Sequence, residues 1–91
     1  MSEAGLVIVE FFGVPRLRAG REELAVSAGT VAEVLAAVES ACPCLKGVRR
    51  SDGRAAPQYL LSLDGRAFLT DPAHRLRPGD HVLLLSADAG G

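Results

Sequence analysis

The sequence predicts an α+β domain, a mixed sheet of four to five strands with one main helix packed on one face. Three observations carry this reading. The runs at residues 6–12 and 81–85 are rich in β-branched, aromatic and leucine side chains and read as strands. A single helical period lies between them, over residues 30–42. One amphipathic helix can cover only one face of a sheet, so the other face is left open.

The first strand, Leu6-Val7-Ile8-Val9-Glu10-Phe11-Phe12, ends at Gly13-Val14-Pro15. Residues 16–20 read as a loop punctuated by Gly20, and Glu22-Glu23-Leu24-Ala25-Val26 as a second strand. The short connection makes the two an antiparallel pair. Thr30 and Glu33 have the spacing of a capping box, in which each side chain covers the other's free backbone N–H. Val31, Val34, Leu35, Val38 and Cys42 then recur on one helical face, and Pro43 stops the helix. Residues 43–57 form a polar, irregular stretch expected on the surface. Tyr59-Leu60-Leu61-Ser62-Leu63 is a third strand closed by Asp64-Gly65, and residues 66–69 a short fourth. Arg77-Pro78-Gly79-Asp80 is a tight turn into the last strand.

The first and last strands are the most apolar, as central strands are. Placed side by side, with the helix and its crossover between them, they run parallel. That arrangement is the β-grasp fold. Its open face would carry Ile8 or Phe12, Leu60 and one set of the Leu83–Leu85 alternation, an apolar surface suited to another protein.

Composition excludes several function classes. The 91 residues suit one domain, and a formal net charge of −1 gives no pull toward nucleic acid or an anionic membrane. The arginines at 49, 50 and 54 lack the interleaved aromatics of a single-strand binder. No run approaches the roughly 20 apolar residues of a membrane span, and the start of the chain does not read as a signal peptide, so a cytoplasmic protein is expected. Cys42 and Cys44 flank one proline, too close for an unstrained disulfide. With His74 and His81 as the only histidines, a metal site of three or four ligands is not expected. Neither histidine lies near a nucleophile motif, so no catalytic residue is assigned.

After the last strand come Ser86-Ala87-Asp88-Ala89-Gly90-Gly91. Residues 1–86 read as the domain and residues 87–91 as a thin tail. Glycine lacks a Cβ, so such a tail can pass through a narrow channel and approach a ligand closely. A terminal carboxylate is a poor electrophile until it is activated, for example as an acyl adenylate, and nothing flanks the Gly91 carbonyl to hinder a nucleophile.

In "VEFFGVPR", "TVAEVLAAV", "LSLDGRAFLTD" and "RLRPGDHVLLLSADAGG" the chain resembles the MoaD/ThiS family of ubiquitin-like sulfur carriers over nearly its whole length, in the same order. The resemblance implies a β-grasp protein without an active site or bound cofactor of its own. It implies as partners a ubiquitin-activating-like adenylyltransferase, which uses ATP and magnesium, a sulfur donor and an acceptor biosynthetic enzyme. Gly91 would carry the adenylate and then the thiocarboxylate. Gly90, Ala89 and Asp88 would thread the partner's active site, and Phe68, Phe12 and Leu60 would help dock it. The long stretch at 43–57 favours a molybdopterin-type carrier over a thiamin one. A protein modifier joined to lysine amines through the same diglycine, and an interaction module that is never activated, are the two other classes the tail allows.

Overall fold

The computed structural model describes residues 5–87. Five strands form one sheet: β1 (Leu6–Phe11), β2 (Glu23–Ser27), β3 (Tyr59–Leu63), β4 (Ala67–Phe68) and β5 (His81–Ser86). Their order across the sheet is β2-β1-β5-β3-β4. β1 and β5 are central and parallel, with Phe11 beside Leu84, while β2 lies antiparallel to β1, and β3 to both β5 and β4. The main helix, α2 (Val31–Ala41), lies on one face. This is the ubiquitin-like β-grasp arrangement.

Alternation along each strand divides the side chains between two faces. Val7, Val9 and Phe11 of β1, Val82 and Leu84 of β5, and Tyr59 and Leu61 of β3 are buried toward the helix. Val31, Val34, Leu35, Val38 and Cys42 close the core from the other side, as their spacing predicts. The capping box is present: the Glu33 amide donates to Thr30 Oγ1 at 3.2 Å, and the Thr30 amide donates to Glu33 Oε1 at 2.8 Å. Two further free amides of the first turn, Val31 and Ala32, donate to the carbonyls of His74 and Pro72. The helix is thereby tied to the segment leading into β5.

Both punctuating turns take their expected forms. Asp64 and Gly65 have φ of 54° and 71°, the paired left-handed conformations that suit a hairpin. In the turn before β5, Gly79 has φ of 92°, and the Asp80 amide closes onto the Arg77 carbonyl.

Two regions differ from the sequence reading. The segment at 16–20 is not a loop: Val14–Ala19 forms a short helix, α1. Pro15 sits in its first turn, where its fixed φ fits and its missing N–H costs nothing, and Gly20 ends it in the left-handed conformation. Residues 43–57 are not merely surface. A 3₁₀ turn at Pro43–Leu45 buries Leu45, and Val48 and Ala56 are buried beside it. Arg49 pairs with Ala55 as an isolated bridge, and Gly53 is packed against Ala32 and Pro72. Apolar residues spaced singly among charges show no period, which hides this small annex of the core from pattern reading.

Candidate functional site

The face opposite α2 has no covering element among the described residues. Register places its side chains in rows. Leu60 stands opposite Leu85, and one step beyond the Phe11–Leu84 pair, Phe12 takes the place beside Leu85, its amide donating to the Leu84 carbonyl at 3.0 Å. Phe12, Leu85 and Leu60 thus form one apolar row across β1, β5 and β3. The next row holds Leu83 opposite Ser62, with Phe68 on the far side of Ser62. Phe68 is 62% exposed and Phe12 41% exposed. The three docking residues expected from sequence are therefore on one face, with Leu83 and Leu85 joining them.

One polar pair interrupts this face. His81 Nε2 lies 2.8 Å from Glu10 Oε1, across the parallel pair β1–β5. The Phe12–Leu85–Leu60 row lies at the end where β5 finishes, whereas Glu10 stands beside Leu83 in the next row and Ile8 beside His81 in the row beyond. The Phe12–Leu85–Leu60 row is thus the one nearest the departure point of the C-terminal residues. Ala87 is still held there, its amide donating to the Gln58 carbonyl at 2.9 Å. Asp88, Ala89, Gly90 and Gly91 lie outside the described residues.

The same end carries α1, which packs against β5 and the 3₁₀ turn. Arg18 Nη1 donates to the Tyr59 hydroxyl at 3.1 Å, fixing the helix to the start of β3. Leu17 is 82% exposed, and Val14 is also exposed. Reading this segment as a loop left Leu17 and Val14 out of the expected surface; Pro15 followed by a closing Gly20 was the available signal.

Among the described residues no cluster of three His, Cys, Asp or Glu side chains could hold a metal, and no helix is long and apolar enough to cross a membrane. Cys42 is buried, and burial pushes its thiol up, whereas Cys44 is exposed.

No protein-family model and no curated protein matches the chain. Solved structures do. Small archaeal modifier protein 1 (SAMP1) of Haloferax volcanii superposes with a TM-score of 0.77 at 24% identity, over 96% of this chain and 100% of that one. The protein of the same name from Methanosarcina acetivorans gives 0.77 at 25% identity, over 96% and 97%. A candidate molybdopterin converting factor subunit 1 from Pyrococcus furiosus gives 0.71 at 20% identity, over 89% and 95%. The chain is a ubiquitin-like β-grasp protein whose structural neighbours are small archaeal modifier proteins and a MoaD-like subunit.

Proposed function

We propose that the chain is a carrier whose Gly91 carboxylate is activated by a partner enzyme and becomes a thiocarboxylate that donates sulfur in a biosynthetic pathway. The observation that carries this reading is the end-to-end likeness in fold to proteins named as modifiers and as a molybdopterin converting factor subunit. The row of Phe12, Leu85 and Leu60 beside the point where β5 finishes supports it, because a partner seated there would receive the tail.

The chemistry needs nothing from this chain but its end and its docking face. A carboxylate oxygen of Gly91 attacks the α-phosphorus of ATP, held with magnesium by the adenylyltransferase, and pyrophosphate leaves. Sulfur at the level of hydrosulfide, brought by the donor, then attacks the acyl carbonyl, AMP leaves, and the thiocarboxylate remains for the acceptor enzyme. Gly90 and Ala89 lack bulk and pass the channel, and Asp88 meets a cationic or solvated wall. The chain is thus a protein co-substrate in the cytoplasm.

The word modifier in two neighbours' names supports a second reading, in which a lysine amine of a target protein takes the place of sulfur. Both share the first step, so ATP–pyrophosphate exchange by the host's adenylyltransferase tests the activation they have in common. Exchange that requires this chain and is lost on deletion of Gly91 supports both. Exchange indifferent to Gly91, with the enzyme active on its own cognate carrier, overturns both and leaves the unactivated interaction module.

A further inference from the structure

Gly91 cannot react far from the domain. Only Asp88, Ala89, Gly90 and Gly91 follow Ala87, whose amide is bonded to the Gln58 carbonyl at 2.9 Å. Four residues span at most about 14 Å. The rim of any channel that closes on Gly91 therefore bears on the surface around Ala87.

That surface has two flanks. The Phe12–Leu85–Leu60 row is one, and α1 is the other. α1 packs against β5, and Arg18 ties it to Tyr59, the register partner of Ser86. Pro15 is buried and Ala19 packs against the core, so these residues and Arg18 mark the inner side of the helix. Val14 and Leu17, one turn apart, share the outer side and are 42% and 82% exposed. Two Cα steps of ~3.8 Å and one turn of ~5.4 Å separate Leu17 from Phe12, so their Cα atoms lie within about 13 Å. The charges of α1 are engaged within the chain: Arg16 pairs with Glu22 at 2.9 Å, and Arg18 donates to the Tyr59 hydroxyl. Phe12, Val14 and Leu17 thus carry the apolar surface from the open face past the end of β1.

We propose that Leu17, with Val14, is a docking contact for the activating enzyme, whose channel rim carries an apolar recess that receives Leu17 while the same rim covers the Phe12–Leu85–Leu60 row. This rests on the activation of Gly91 proposed above. The occupant is the adenylyltransferase because activation is the step that the carrier and modifier readings share. A short helix held by Pro15 and Arg18 presents Leu17 already ordered, which lowers the cost of binding.

The test is ATP–pyrophosphate exchange by the host's adenylyltransferase, with the concentration of the full chain varied. Leu17→Ser raises KM for the chain about tenfold and leaves kcat unchanged, the signature of lost docking. The same variant keeps the native melting temperature, because the side chain is mostly exposed. Leu17→Met restores most of the affinity, since it supplies a similar apolar volume. An unchanged KM for Leu17→Ser, an equal loss for Leu17→Met, or native exchange by Leu17→Ser with failure only at sulfur transfer to the acceptor would each overturn the proposal. Absence of exchange with the unaltered chain, by an enzyme active on its own carrier, would instead overturn the activation on which it rests.

Discussion

The division of β5 into a structural and a recognition side predicts opposite fates for two adjacent leucines. Leu84 is fully buried, in a row between Phe11 of β1 and Leu61 of β3, both also buried. Truncation of such a leucine to alanine costs about 2–5 kcal/mol, the spread reflecting how far the site can collapse. Hydrogen-bonded strands hold Phe11 and Leu61 on both sides, so little collapse is open to them, and Leu84→Ala should cost about 3–4 kcal/mol. For a domain of this size each kcal/mol lowers the melting temperature by about 4–8 °C, giving a fall of about 12–32 °C. Leu85 is half-buried on the open face, where alanine gives up only part of one side chain's transfer free energy, about 0.5–1.5 kcal/mol. Thermal and urea unfolding of both variants measure the difference. Leu85→Ala should keep its fold and lose affinity for the activating enzyme. A Leu85→Ala variant as unstable as Leu84→Ala would refute the assignment of faces, and with it the docking surface.

Three further expectations concern the parts that hold this surface in place. Gly53 has φ of 89°, and a Cβ there would lie 2.9 Å from both Ala32 Cβ and Pro72 Cβ, so Gly53→Ala should destabilise by about 1–3 kcal/mol in thermal unfolding; a neutral result would contradict the packing of residues 43–57 against α2. The Thr30 amide, bonded to the Glu33 carboxylate, holds that carboxyl below its ordinary range, so its contribution to stability is full above the ordinary glutamate value and is lost as pH falls through the lower folded value. Glu33→Gln should therefore flatten the acid side of the profile of melting temperature against pH, while Thr30→Ala should cost about 1 kcal/mol. Iodoacetamide near neutral pH should add one adduct to the native protein, on Cys44, because Cys42 is buried with its thiol pushed up; two adducts before unfolding would place Cys42 at the surface.

The elements that carry a period were legible in the sequence. The five residues predicted for the buried face of α2, the capping box and the two φ-positive turns are all as expected, because each is a local rule that tertiary packing has no reason to override. The parallel pairing of β1 and β5 followed from their apolar content, which marks central strands, and from the helix and crossover between them. The annex built from Leu45, Val48 and Ala56 was hidden, since isolated apolar residues without a period are buried only by tertiary packing. The short helix at Val14–Ala19 was missed for a similar reason: at six residues, it depends on its packing against β5 and the 3₁₀ turn. Of the surface, the open face with Phe12, Leu60 and one set of the Leu83–Leu85 alternation was foreseen, but the row that joins Phe12 to Leu60 through Leu85 depends on register, which the strands fix only by pairing.

The most direct test of the account is the intact mass of the full chain after incubation with the host's adenylyltransferase, ATP, magnesium and a sulfur donor. The account predicts a gain equal to exchanging one oxygen for sulfur, mapped to Gly91 and lost when Gly91 is deleted. An unchanged mass, with an enzyme shown to be active on its own carrier and Gly90-Gly91 intact, would contradict it.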